Sequence, residues 1–238
     1  MNASHPSLAQ QAADRKLLVW DAPVRLFHGL MIASFALAWI TAENDAWLAL
    51  HIASGTTMAV LVAFRLVWGL IGTRHARFVN FVRGPGEALR YLGSLLRGRP
   101  EHHTGHNPAA AWAILALLAL TALVVGSGWA LLGGLGGRFT EGAHEALAAA
   151  MLALVGLHVL GVLVHTLMHR ENIVAAMIDG RKRGAPDQGI RRAWTLVAVL
   201  MLAALVALWT TQWQTLAAGP AASAAAEGHG RHGDDDDD

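Results

Sequence analysis

The 238-residue chain contains no cysteine and few charged residues. Without cysteine there can be no disulfide, iron–sulfur cluster, thiolate haem ligand or thioether attachment of haem, so any redox cofactor must be held by other side chains. Charged residues make up 15% of the chain and hydrophobic residues 54%, a balance too apolar for a soluble domain of this length. The formal net charge of +1 gives no support for nucleic-acid binding. The composition predicts a membrane protein.

The apolar residues fall into five segments of near-membrane length. A helix needs about 20 mostly apolar residues to cross a bilayer, and the segments are 26–42, 47–72, 109–135, 144–168 and 193–213. The first 25 residues lack the apolar core and cleavage site of a signal peptide, so we expect the first segment to remain as an anchor. We expect five spans with short outer loops at 43–46 and 136–143 to form the whole fold, with a short surface helix within 171–180.

The basic residues predict the orientation of these spans. All but three of the 18 lysines and arginines lie on one side of the predicted membrane, the exceptions being Arg65, Arg138 and Arg231. Basic residues near span ends are retained in the cytoplasm. We therefore expect a multi-pass protein of the bacterial inner membrane, with a cytoplasmic N-terminus and a periplasmic C-terminus.

Five of the 13 histidines lie within or at the ends of the predicted spans: His28, His51, His144, His158 and His165. Ionisable side chains in a membrane are costly and usually functional. His144 and His158 are 14 residues apart, which places them on one helix face about 21 Å apart along the axis. That separation suits two stacked haems, each taking one axial ligand from this helix.

Each haem needs a second imidazole at the same depth. His51 begins its span on the outer side and can pair with His144, whereas His28 begins its span on the inner side and can pair with His158. Two imidazoles fill both axial positions of an iron used for electron transfer. The alternative is that these histidines only pack or hydrogen-bond between helices. A single tetrahedral zinc centre is excluded, because the two pairs are about 20 Å apart.

Several other residues are candidates for contacts with haem. Gly55 and Gly161 lie one helical turn from His51 and His158, where a missing side chain would let a porphyrin approach the backbone, although ordinary helix packing also favours glycine. Three arginines near span ends could bind haem propionates or act only as topological anchors: Arg25, Arg74 and Arg138. Arg65 lies within a span and needs a partner or a position at the inner surface.

Four stretches of the chain resemble the prokaryotic cytochrome b561 family, which includes the b-type cytochrome subunits of nickel–iron hydrogenases. Together they cover roughly residues 18–182, and their combination is specific. They are 19–28 (VWDAPVRLFH), 50–51 (LH) leading into 64–69 (FRLVWG), 74–85 (RHARFVNFVRGP), and 144–172 (HEALAAAMLALVGLHVLGVLVHTLMHREN).

The resemblance implies a four-helix transmembrane bundle that holds two haems b through His28, His51, His144 and His158. This all-α membrane fold would carry a fifth, C-terminal transmembrane helix that the shortest family members lack. We divide the chain into a cytoplasmic tail (1–17), a di-haem domain (18–182), a linker with the fifth helix (183–216) and a disordered acidic periplasmic tail (217–238). Gly29 departs from the family, in which tryptophan often follows the first ligand.

The leading functional hypothesis is an electron-transfer subunit rather than a stand-alone enzyme. It would move electrons between the quinone pool and a periplasmic partner, which could be a c-type cytochrome, a hydrogenase or another dehydrogenase. His165 would either contact the quinone or snorkel to the interface. The alternatives are a stand-alone superoxide:quinone oxidoreductase and, from another class, a transporter or haem-holding structural anchor. The protein would contact membrane lipid and could form a homo-oligomer.

Overall fold

The computed structural model describes residues 16–98 and 105–229. Two short strands accompany the helices, β1 at Lys16–Leu18 and β2 at Arg181–Arg183. The helices in chain order are α1 (Ala22–Thr41), α2 (Leu48–Ile71), α3 (Phe78–Phe81), α4 (Pro85–Leu96), α5 (Pro108–Leu132), α6 (Gly137–His169), α7 (Ile173–Asp179) and α8 (Thr195–His229).

Five helices in the described part of the chain are long and apolar enough to cross a membrane: α1, α2, α5, α6 and α8. This confirms the predicted number of spans. Helix α1 packs on α2, α2 on α5 and α5 on α6, while α8 lies against α1 and α2. We call the end that carries the two strands the sheet end, and the end with the turns 42–47 and 133–136 the turn end.

Asp21 explains why α1 begins where it does. Its Oδ1 accepts a hydrogen bond from the Val24 amide at 2.8 Å and so caps the helix, and Pro23 follows in the first turn, where its lack of an N–H costs nothing. Its Oδ2 accepts from Trp68 Nε1 at 3.1 Å and from Thr73 Oγ1. The buried carboxylate therefore fastens the start of α1 to the end of α2.

At the sheet end, the segment that precedes α1 approaches Gly180, the residue that follows α7, very closely. Strand β1 pairs antiparallel with β2, and the amides of Val19 and Trp20 both donate to the Gly180 carbonyl. Gly180 has a φ of 78°, and a Cβ there would lie 2.7 Å from the Trp20 carbonyl oxygen. Only glycine suits this position. The loop after α7 is thereby held against the start of α1.

The expectation that five spans form the whole fold was too narrow. Helix α4 lies at the sheet end and packs on α5, burying Tyr91 to 2% exposure. The preceding segment is fixed by a hydrogen bond of 3.0 Å from Trp112 Nε1 to the Arg83 carbonyl. The short helix expected within 171–180 is confirmed as α7.

Two predicted boundaries were also wrong. The second outer loop ends at Gly136 rather than residue 143, because α6 already begins at Gly137 after two glycines with positive φ, Gly134 and Gly136. The tail predicted to be disordered from Ala217 instead continues α8 to His229, in keeping with the strong helix preference of its many alanines. The five terminal aspartates lie outside the described residues.

Candidate functional site

His51 and His144 face each other near the turn end of the bundle. Their ring centroids are 6.1 Å apart and the ring planes meet at 74°. Two imidazoles that share one metal place their coordinating nitrogens about 4 Å apart, since each metal–nitrogen bond is about 2 Å long. Ring centroids about 6 Å apart match that arrangement. The structure therefore brings together the two residues that the sequence paired.

Both rings are oriented by hydrogen bonds at Nδ1. His51 Nδ1 lies 2.9 Å from the Ala38 carbonyl oxygen, and His144 Nδ1 lies 3.1 Å from the Val124 carbonyl oxygen and 2.9 Å from Ser127 Oγ. Because a carbonyl oxygen only accepts, Nδ1 carries the proton and Nε2 keeps its lone pair. This is the tautomer in which a histidine binds metal through Nε2.

His28 and His158 form the second pair, nearer the sheet end. His28 lies in the second turn of α1 and His158 in the second half of α6, and both are half-buried. They are close enough for a charge on one imidazole to act on the other. These two residues of the predicted inner pair therefore lie near each other, one on α1 and the other on α6.

Helix α6, which carries His144 and His158, does not pack closely on the helices that carry His28 and His51. Among the described elements, α6 packs on α5 and α7 but makes no comparable backbone contact with α1 or α2. Gly55 and Gly161, the two predicted packing glycines, have open space where a Cβ would lie. Gly128, which the sequence reasoning missed, lies beside the outer pair, and a Cβ there would be 3.3 Å from His144 Cε1. At Gly55 and Gly161 the helix surface beside His51 and His158 is therefore not covered by other described parts of the chain.

The three arginines predicted to meet propionates lie in different surroundings. Arg25 is three residues before His28, and its buried Nε has no hydrogen-bond partner. Arg74 is exposed and donates from Nη1 to the Asp187 carbonyl at 3.1 Å. Arg138 is exposed in the first turn of α6 at the turn end. Of the three, Arg25 has the surroundings that a buried anion would complete.

His165 is buried rather than exposed at the surface. It is 8% exposed, and its Nδ1 lies 3.5 Å from the hydroxyl of Tyr91, the single tyrosine of the chain. Helix α4, which packs on α5, brings Tyr91 to His165 of α6. The sequence reasoning missed Tyr91, because α4 lies outside the predicted spans.

A second group of histidines at the sheet end was also missed. His106 lies between the rings of Trp20 and Phe81, with both centroid distances 4.5 Å, and its buried Nδ1 has no partner. Burial, reinforced by the nearby charge of Arg65, lowers the pKa of His106 to about 3. Burial also lowers the pKa of His75, although the hydrogen bond from its Nε2 to the Gln188 carbonyl opposes this. Both histidines border a cavity of about 300 Å³.

The donor set suits haem better than a bare metal ion. Within residues 16–98 and 105–229, no three histidine or carboxylate side chains come together as they would around a single ion. Each pair of imidazoles instead offers two ligands. Hydrogen bonds fix the outer pair in the tautomer that binds metal through Nε2. Arg25, whose buried Nε has no hydrogen-bond partner, lies near the inner pair. These are the features that a bis-imidazole haem with propionate groups requires.

Comparison with known proteins relates the chain to b-type cytochromes. The chain is 24% identical over 237 residues to a probable Ni/Fe-hydrogenase B-type cytochrome subunit of Rhizobium leguminosarum. This alignment covers 75% of the chain and 96% of that protein. It is 24% identical over 150 residues to a probable Ni/Fe-hydrogenase 1 B-type cytochrome subunit of Escherichia coli K12, which covers 51% of the chain and 63% of that protein. No solved structure matches the chain. The model of the prokaryotic cytochrome b561 family matches residues 19–180, well over half of the chain, and the protein therefore belongs to that family.

Proposed function

We propose that this multi-pass b-type cytochrome holds two haems b and transfers electrons between a quinone and a nickel–iron hydrogenase. The single observation that carries the proposal is the spacing of 6.1 Å between the His51 and His144 rings. In the second pair, His158 lies on the same helix α6, nearer its other end, and His28 lies on α1. Two haems held in this way form a path for electrons along the bundle.

The residues of the chain would hold and orient the cofactors. His51 and His144 would hold the outer haem through Nε2, and His28 and His158 would hold the inner one. The Ala38 and Val124 carbonyls fix the ring orientation of the outer pair. Each haem, when bound, would supply one-electron transfer. Gly55 and Gly161 would leave space for the porphyrin edge, and Arg25 would bind a propionate.

The sheet end is the cytoplasmic end in this proposal, and the turn end is periplasmic. The support is the concentration of basic residues at the sheet end, which includes β2 (Arg181–Arg183), Arg74 and Arg83. The N-terminus is then cytoplasmic and the C-terminus periplasmic, in the bacterial inner membrane. Residues 18–182 would form the di-haem domain, with α8 added against α1 and α2.

The hydrogenase is proposed as partner because the relatives in Rhizobium leguminosarum and Escherichia coli are named as subunits of that enzyme. A hydrogenase on the periplasmic side would deliver electrons to the outer haem, held by His51 and His144. A c-type cytochrome or another dehydrogenase would approach the same haem. The partner is therefore placed at the turn end of the bundle.

The quinone is placed at the sheet end, near the inner haem. Tyr91 and His165 form a buried pair of hydrogen-bonding groups there, seven residues along α6 from His158. Reduction of a quinone needs protons as well as electrons, and histidine is the side chain best suited to exchange protons near neutral pH. His165 would exchange a proton with the quinone headgroup, and Tyr91 would orient its ring.

The experiment is to purify the full chain in detergent, measure haem per chain, and record reduced-minus-oxidised spectra. We expect b-type bands and two haems per chain. We also expect hydrogen to reduce both haems only when the hydrogenase is present, and an added quinone to reoxidise them. An absence of b-type bands would overturn the proposal. Reduction by a c-type cytochrome but not by the hydrogenase would leave the di-haem assignment standing and replace the partner.

A further inference from the structure

Arg65 occupies a special position relative to the two histidine pairs. It follows His51 by 14 residues along α2, the same interval that separates His144 from His158 along α6. Fourteen residues make nearly four turns and rise about 21 Å. Helix α2 therefore presents His51 at the depth of the outer pair and Arg65, on the same face, at the depth of the inner pair.

The Arg65 side chain is buried without a full set of partners. It is 3% exposed, and its guanidinium lies over the Phe78 ring at 4.7 Å, with the Phe81 ring at 6.0 Å. A cation over an aromatic face gains electrostatic energy but donates no in-plane hydrogen bond. The Nη1 atom remains buried with no hydrogen-bond partner. A buried guanidinium in this state is costly unless an anion accepts from it.

The nearby carboxylate of Asp21 does not meet this need. Asp21 is close enough for its charge to act on Arg65, but its oxygens accept from Val24, Trp68 and Thr73. Asp21 thus offsets part of the charge while its hydrogen bonds go elsewhere. Arg25, three residues before His28, has a second unpartnered buried guanidinium nitrogen. Two arginines near the inner pair lack an acceptor, and a haem carries two propionate carboxylates.

We propose that Arg65 donates to a propionate of the haem held by His28 and His158, and that its charge sets the potential of that haem. This inference rests on the inner haem of the proposed function. A carboxylate accepts well from a guanidinium, and the pair is strong when buried. Reduction adds one electron to the haem, so a nearby cation stabilises the reduced form and raises the midpoint potential.

A purely structural role makes a different prediction. The stack on Phe78 also fixes α3, because Phe78 covers Gly69 so closely that a Cβ there would overlap its ring. If Arg65 only held α3, replacing Phe78 would have the same consequences as replacing Arg65. Phe78→Leu therefore serves as the structural control, since it weakens the stack and keeps the cation. The exposed Arg77 at the same end of the bundle serves as the charge control.

The experiment is a redox titration of the full chain in detergent, followed by visible absorption, for wild type, Arg65→Gln, Arg65→Lys, Phe78→Leu and Arg77→Gln. The inner-haem transition is the one that His158→Ala removes. We expect Arg65→Gln to shift that transition to a more negative potential and to make it more dependent on pH, because a propionate without its cation binds a proton more readily. Arg65→Lys should keep most of the wild-type potential, and the outer haem and both controls should be unchanged.

The outcomes separate this inference from the proposed function. If Arg65→Gln left both midpoint potentials unchanged, or shifted both equally, the proposed role of Arg65 would be overturned while the di-haem assignment would stand. Phe78→Leu reproducing the shift would also overturn it. If Arg65→Gln fails to retain haem, Arg65→Lys decides, because a retained inner haem at near wild-type potential supports the charge role and a lost one contradicts it. A wild-type protein with no second transition would instead refute the proposed function.

Discussion

The imidazoles of His51 and His144 lie 6.1 Å apart, and each is hydrogen-bonded to a backbone carbonyl of the neighbouring helix. His51 on α2 contacts Ala38 of α1, and His144 on α6 contacts Val124 of α5. The bundle therefore contains two helix pairs, α1 with α2 and α5 with α6, each of which orients one histidine of the outer pair. In the proposed inner site, His28 would come from α1 and His158 from α6.

Replacement of a single ligand should remove one haem and leave the other. We expect His51→Ala or His144→Ala to halve the haem per chain by losing the haem near the turn end, and His28→Ala or His158→Ala to halve it by losing the other. Haem content and redox titration of each variant measure this. His75→Gln, a half-buried histidine outside both pairs, is the control and should keep both haems. A His51→Ala protein that lost the same transition as His158→Ala would refute the pairing.

The hydrogen bond from His144 to Ser127 should tune the outer haem. Ser127 Oγ lies 2.9 Å from His144 Nδ1 and also donates to the Val124 carbonyl. An acceptor at Nδ1–H makes the imidazole a stronger electron donor to iron, which favours the oxidised state. We expect Ser127→Ala to keep both haems, since Val124 still accepts, and to raise the outer midpoint potential alone.

Ser94→Ala is the matched control for this change. Ser94 is buried and likewise donates to a carbonyl of its own helix, but it lies on α4, which carries none of the four histidines. It should leave both potentials unaltered. An unchanged outer potential in Ser127→Ala would show that the Val124 carbonyl alone orients His144.

Sequence patterns predicted the features that depend on hydropathy and helical period. Five apolar segments gave the five spans, and the interval of 14 residues placed His144 and His158 on one face of α6. The pairing of His51 with His144 followed from membrane depth. These properties depend on position along a single helix, which a sequence states directly.

The remaining features depend on how separate segments meet. His106 was overlooked because it lies between spans, and only the folded chain places it between the rings of Trp20 and Phe81. Tyr91 was overlooked because α4 is a short amphipathic helix with no membrane signature. The role of Gly128 depends on the position of His144 across a helix interface. The carbonyl oxygens that accept hydrogen bonds from the His51 and His144 rings belong to the backbone, and so carry no sequence signal.

Removal of the Asp21 carboxylate should destabilise the sheet end. Asp21→Ala loses the helix cap and leaves the Trp68 and Thr73 donors without their acceptor. A lost cap costs about 1 kcal/mol, and each buried unsatisfied group about 1–3 kcal/mol. Asn107→Ala is the control, because Asn107 caps α5 through one hydrogen bond to the Ala110 amide. We expect the melting temperature in detergent to fall clearly further in Asp21→Ala. Equal decreases would show that the bonds to Trp68 and Thr73 contribute nothing.

Acid should destabilise the folded protein through His106. Burial, with the charges of Arg65, His75, Lys182 and His158, lowers its folded-state pKa from 6.5 to about 3. Below pH 6.5, His106 binds a proton in the unfolded chain but stays neutral in the folded protein. The contribution of the neutral, buried His106 to the free energy of unfolding is therefore complete above pH 6.5 and is lost progressively as the pH falls toward 3. The melting temperature in detergent, measured as the pH is lowered, should fall less steeply for His106→Gln than for wild type.

His75→Gln provides the comparison for this pH dependence. The pKa of His75 is also lowered by burial, but its hydrogen bond to the Gln188 carbonyl favours the protonated ring and opposes that shift. Replacement of His75 should therefore reduce the fall in melting temperature at acid pH less than replacement of His106 does. If the melting temperatures of wild type and His106→Gln fell equally as the pH was lowered, His106 would accept a proton in the folded protein. Its buried Nδ1 would then have an acceptor or a water molecule as its partner.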